Sequence, residues 1–175
     1  LKAGDVVQVL QGRGNVELRH PKLRIIYEDD ALIVVEKKNG LLTVPYNPKS
    51  SEMTAYSILK EYVKKESKRN TVHVVHRLDR ETSGLMMYAK DEKTMNTLRD
   101  NWHDIVKDRR YVTIVSGEME RDAGSIESWL TDRKLYVSSS RVDDGTGKYA
   151  LTHYKTIKRA NGYSLVELKL ETGRK

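Results

Sequence analysis

The sequence predicts an α+β protein: a mixed, mostly antiparallel sheet with a few flanking helices. Short runs rich in Val, Ile, Leu and Tyr recur along the chain, bounded by Gly, Asn, Asp and Ser. Few stretches carry apolar residues at helical spacing. The strand-like runs are largely sequential and joined by short turns, which favours antiparallel pairing over a strictly alternating parallel sheet.

In chain order, residues 24–27 and 31–36 read as strands joined by a Glu28-Asp29-Asp30 turn, and Asn39-Gly40 is a hairpin-turn signal after them. Ser51 is expected to cap a helix running to about Lys65, with Ala55, Leu59, Tyr62 and Val63 inward and Lys60, Lys64 and Lys65 outward. Residues 71–75 and 85–88 are strands, with Val72, Val74, Val75, Leu85, Met86 and Met87 as core material. Asp91 begins a second helix whose apolar stripe is Met95, Leu98, Trp102, Ile105 and Val106. Residues 111–115, 125–129, 148–157 and 163–170 supply further strands, and the stretch around Ser138–Ser140, Asp143 and Gly145 is expected to be a surface hairpin loop.

With 175 residues, the chain is the size of an ordinary domain. Hydrophobic content of 38% beside charged content of 33% fits a globular protein. No apolar run approaches the ~20 residues of a membrane span, and no signal-peptide pattern opens the chain. The absence of Cys removes disulfides, thiolate catalysis and Cys-based zinc sites, and suits a cytoplasmic protein. A net charge of +7 and a pI near 9.4 favour polyanionic partners. With no Phe and 10 Tyr, tyrosines take on much of the aromatic packing.

The run His76-Arg77-Leu78-Asp79-Arg80-Glu81-Thr82-Ser83-Gly84-Leu85 concentrates charge in a Gly-closed turn between two strand-like runs. A loop held by a rigid sheet is where catalytic groups tend to sit, which makes Asp79 the first candidate. The alternative is a solvated turn in which Asp79 pairs with Arg77 or Arg80 and Gly84 takes a positive φ. Other constellations fall away. His73 and His76 would point to opposite faces of a strand, and the remaining histidines are scattered, so no metal site is expected. Gly145-Thr146-Gly147-Lys148 lacks the outer residues of a phosphate loop.

The run from His76 to Leu85 resembles the central motif of the RluA-type pseudouridine synthases, in which the Asp is the nucleophile; that position is Asp79 here. Residues 34–45, from Val34 to Pro45, are similar to the family's first motif, departing from it at Lys38 and Val44, where Pro and His are usual. Residues 107–117 resemble the strand carrying the family's active-site Tyr, which maps to Tyr111. Residues 165–175 resemble the opening of the last motif, whose His-Gln-aliphatic-Arg continuation does not follow in this chain. Residues 1–10 look like the tail of an RNA-binding domain of the ribosomal protein S-four type, 11–22 are read as a linker, and 23–175 as the catalytic domain, cut before its last motif and lacking the C-terminal part of the fold.

The resemblance implies an isomerase that turns specific uridines of structured RNA into pseudouridine without a cofactor or metal, in 23S ribosomal RNA or transfer RNA. Asp79 acts as nucleophile or removes a sugar proton; both routes stay open. Tyr111 stacks on the uracil, and Arg77 fills the place the flipped uridine leaves. His76, Arg80, Lys107, Arg109, Arg110 and Arg174 are candidate RNA contacts. The alternative is an RNA-binding protein of the same fold without catalysis. A carboxylate-paired hydrolase ranks below both, because only Glu81 stands close to Asp79 in sequence. The cation that would keep Asp79 charged belongs to the last motif, so residues 1–175 alone are expected to be inactive, with Asp79 facing solvent and an apolar sheet face exposed.

Overall fold

The computed structural model describes residues 17–47, 49–132, 137–143 and 145–172. The expected tail at residues 1–10, the first half of the linker (11–16) and Arg174 lie outside them. The chain divides into two compact units, 1–105 and 106–175.

The first unit is built on a four-stranded sheet. Strands β1 (Leu23–Glu28) and β2 (Leu32–Lys37) form an antiparallel hairpin. Asp29 closes its turn by accepting the N–H groups of Ala31 and Leu32, both at 2.8 Å, and those bonds hold its carboxyl below the ordinary value of 3.8. Strand β3 (His73–Val74) lies outermost beside β4 (Gly84–Ala89), giving the order β1-β2-β4-β3. Period-two alternation puts Ile33, Val35 and Lys37 of β2 on the buried face.

Helix α1 (Ala55–Lys64) begins at Thr54 rather than at Ser51. The Thr54 side chain accepts the Ser57 N–H while the Ser57 hydroxyl accepts the Thr54 N–H, a reciprocal cap that Ser51, three residues earlier, cannot make. Ala55, Leu59 and Val63 recur every four residues and are buried, each of the larger two stabilising by about 1.5–3 kcal/mol. Asp91 caps α2 (Glu92–Asp100), accepting the Thr94 N–H at 2.8 Å and its hydroxyl at 2.7 Å. The expected long second helix breaks at Asn101, and α3 (Trp102–Ile105) follows as a separate turn. Val75, Ala89 and Leu98 form a buried cluster with Met87, Met95 and Trp102 packed on it.

The second unit is a five-stranded antiparallel sheet in the order β5-β9-β8-β6-β7: β5 (Arg110–Ser116), β6 (Ala123–Asp132), β7 (Val137–Ser140), β8 (Lys148–Ala160) and β9 (Tyr163–Leu170). Asn161 and Gly162 join β8 to β9 with positive φ of 54° and 74°, the requirement of a tight hairpin. Ser138–Ser140 is strand rather than loop, and β7 and β8 each pair with β6 rather than with one another, so the two strands do not form a hairpin. Among the described residues, Val166 is the buried apolar side chain of this unit, while Val112, Ile114 and Tyr163 lie exposed on one face. The named strands pair antiparallel, with one isolated parallel bridge between Leu42 and Thr54.

Candidate active site

The loop from His76 to Ser83 leaves β3 and enters β4 through Gly84, whose φ of +141° would strain any side chain. The predicted strand at 71–75 is confined to His73–Val74, so the segment after it is free of sheet pairing and can turn outward. Leu78 is buried, and Arg77 and Asp79 on either side of it are exposed. A hydrogen bond from Thr82 N–H to Asp79 C=O, 3.1 Å, closes a turn beginning at Asp79. The Asp79 carboxylate makes no hydrogen bond or ion pair among the described residues.

What surrounds Asp79 in sequence is tied down. Leu78 donates its N–H to the Thr43 hydroxyl at 3.2 Å, and the same hydroxyl donates to Leu78 C=O at 2.6 Å. Arg80 C=O accepts Gly40 N–H at 2.8 Å and the Lys37 ammonium at 3.2 Å. The Arg80 guanidinium forms a two-pronged pair with Glu52 at 2.7 and 3.2 Å, so Arg80 turns to Glu52 rather than to Asp79. His76 accepts the Met87 N–H through Nε2 at 3.1 Å, on the edge of β4 beyond the end of β3, and its ring lies 4.8 Å from that of Trp102. Arg99 reaches from α2 to Val74 C=O at 2.7 Å.

Lys37 stands out in this arrangement. Its side chain is fully buried and donates to the carbonyls of Lys38, Leu41 and Arg80 at 3.2, 2.8 and 3.2 Å. Burial pulls its pKa below 10.5, while the nearby charges of Glu81 and Asp79 oppose that shift. Neither Lys37 nor Thr43 was singled out from the sequence as a site residue. A signal existed for Lys37: it shares the inward parity of Ile33 and Val35.

The other expected site residues lie in the second unit. Tyr111 sits half-buried on β5, directly across from Leu168. Arg109 donates to the carbonyls of Leu170 and Glu171 at 3.0 and 3.1 Å. Arg110 pairs with Asp108 at 2.9 Å and with Glu167 at 3.0 Å. Lys107 is exposed just before β5. Among the described residues no cluster of His, Asp and Glu is arranged to hold a metal.

The RNA pseudouridylate synthase family model matches residues 31–175, which include the Asp79 loop, the Lys37–Thr43 segment beneath it and Tyr111. The chain belongs to that family. The ribosomal large subunit pseudouridine synthase D of Borreliella burgdorferi is 33% identical over 156 residues, covering 87% of this chain and 48% of that protein. The dual-specificity RNA pseudouridine synthase RluA of Vibrio cholerae is 31% identical over 156 residues, covering 89% of this chain and 61% of its own length. These relatives are of the RluA type, and the chain spans about half the length of the synthase D proteins it matches. A solved structure of human RNA pseudouridylate synthase domain containing 4 superposes with a TM-score of 0.69 at 22% identity, covering 86% of this chain and 60% of that one. The α+β, mostly antiparallel architecture is therefore that of a pseudouridylate synthase domain. No helix among the described residues is long and apolar enough to cross a membrane.

Proposed function

We propose that the whole protein is a cytoplasmic RNA pseudouridine synthase that isomerises particular uridines in structured RNA, with ribosomal RNA of the large subunit as the first candidate and transfer RNA as the second. The observation that carries this is the Asp79 loop: an exposed carboxylate whose neighbours Leu78 and Arg80 are both hydrogen-bonded to one segment, residues 37–43, in which Lys37 and Thr43 are buried. A catalytic group needs that combination, free at the reacting atom and fixed in its backbone.

The reaction breaks the N1–C1′ bond of uridine and forms a C5–C1′ bond. The C5 proton leaves and N1 gains one, so nothing is oxidised and no atom is lost. Asp79 either attacks the base or the sugar carbon, or removes a sugar proton; each role requires the anion. Tyr111 offers a flat face and a hydroxyl to the target uracil. Arg77, exposed beside buried Leu78, fills the stack from which the uridine has flipped.

RNA affinity rests on the net charge of +7. Lys107 and Arg174 are assigned to phosphate contacts; Arg80, Arg109 and Arg110 join them with part of their hydrogen-bonding already committed to Glu52, to Leu170 and Glu171, and to Asp108 and Glu167. His76 stays in the RNA-facing group through the loop that its ring anchors to β4. The test is pseudouridine mapping at single-nucleotide resolution in ribosomal and transfer RNA from cells with and without the gene. Loss of one or a few modified positions is expected; identical maps would remove the assignment.

A further inference from the structure

The Asp79 loop hangs on a single side-chain oxygen. Thr43 is 1% exposed, and its Oγ1 both accepts from Leu78 N–H, at 3.2 Å, and donates to Leu78 C=O, at 2.6 Å. The same oxygen lies 3.6 Å from Met86 Sδ on β4, a weaker contact. Bonding the N–H and the C=O of one residue through one atom requires a group that is donor and acceptor together; a hydroxyl is both strongly, a thiol only weakly. Thr adds a β-branch that restricts χ1, so the oxygen stays aimed at Leu78.

The backbone behind that hydroxyl is itself fixed. Helix α1 presents its first free N–H groups to this segment: Ala55 N–H to Leu42 C=O at 2.8 Å and Tyr56 N–H to Thr43 C=O at 3.1 Å. On the far side of Asp79, Gly40 and Lys37 hold Arg80 C=O from the same segment. Residues 37–43 therefore relay the position of α1 and β2 to Leu78 and Arg80, the residues on either side of Asp79. Among the described residues no other hydrogen bond holds the Leu78 N–H or C=O, and the Leu78–Asp79 peptide helps set the direction of the Asp79 Cα–Cβ bond.

We infer that Thr43 is a positioning residue for Asp79, aiming the carboxylate by holding the Leu78 peptide through its hydroxyl. The inference rests on the reading of Asp79 as the reacting group. Thr43→Val keeps the shape and removes both bonds; Thr43→Ser keeps the hydroxyl and removes only the methyl. A displacement of about 1 Å at the reacting group costs on the order of a hundredfold in rate. The Val variant of the full-length protein should therefore lose about 10–100-fold in kcat with KM little changed, and the Ser variant should stay within about threefold of wild type.

The assay is tritium release from C5 of labelled uridine in transcribed ribosomal RNA, run well below each variant's melting temperature beside Asp79→Asn. Amide exchange at Leu78 and Thr82 is measured on the same proteins and does not depend on the chemistry; it should quicken in the Val variant and not in the Ser variant. If the Val variant does not fold, Thr43→Cys replaces it, with a thiol of similar size and weak hydrogen bonding, and an intermediate kcat is expected. An inactive Asp79→Asn beside a Val or Cys variant of wild-type kcat would overturn the positioning role, as would unchanged exchange at Leu78. Full turnover by Asp79→Asn would instead overturn the reading of Asp79, and positioning for catalysis would fall with it.

Discussion

Replacing Lys37 by Met tests whether a buried ammonium supports the loop or merely survives beside it. The side chain is fully buried and makes three hydrogen bonds to backbone carbonyls. Met matches its length, so no large cavity opens. Arg80 C=O would keep Gly40 N–H, whereas the carbonyls of Lys38 and Leu41 lose the ammonium. The 2.8 Å bond to Leu41 is at charge-assisted distance and is worth about 1.5–3 kcal/mol net; the two 3.2 Å bonds are taken to offset the extra penalty of complete burial. The expected loss is about 1.5–3 kcal/mol, a fall of roughly 10 °C in melting temperature for a unit of this size. Urea and thermal unfolding of wild type and Lys37→Met measure it. A variant as stable as wild type would mean that desolvation of the ammonium cancels its bonds, and the picture of Lys37 as a clasp on Arg80 would be wrong.

Tyr88 is fully buried and its hydroxyl has no hydrogen-bond partner among the described residues, so Tyr88→Phe should leave stability unchanged or raise it by about 1 kcal/mol, and a loss of more than that in urea unfolding would reveal a missed partner. The Asp91 carboxyl is held below 3.8 by the Thr94 N–H and hydroxyl, so the folded state binds fewer protons; its contribution is present above pH 3.8 and lost as pH falls through the lower folded value. Asp91→Asn should flatten the acid side of the stability curve, and an unchanged acid slope would refute that share. Arg77→Ala should reduce modification of paired uridines much more than of unpaired ones, measured by tritium release on two short RNAs; equal losses would argue against stacking in the vacated place.

The loop was legible in the sequence because a charged, Gly-closed run between two apolar runs has few ways to fold, and buried Leu78 between exposed Arg77 and Asp79 keeps the alternation. Its partners were harder to read. Lys37 carries the inward parity of β2, yet a lysine is read as exposed unless something pairs with it, and its partners are backbone carbonyls that no sequence pattern marks. Thr43 hides in an apolar run for the same reason. Leu85 was expected in the core and is 62% exposed, because it sits on the opposite face of β4 from Met86. Ser51 offers the same capping chemistry one turn before Thr54, and the sequence does not distinguish the two. Ser138–Ser140 reads as loop in the sequence because serine triplets favour turns, and pairing with β6 overrides that preference.

The role proposed for the Asp79 carboxylate is to carry out the isomerisation. Its most direct test is conversion of mapped uridines by the full-length protein and by Asp79→Asn, followed by tritium release and by single-nucleotide mapping, with RNA binding measured alongside. The amide keeps the shape and the phosphate contacts but cannot supply the anion, so RNA binding should persist while turnover vanishes. Turnover by the verified Asn variant would remove Asp79 from that role.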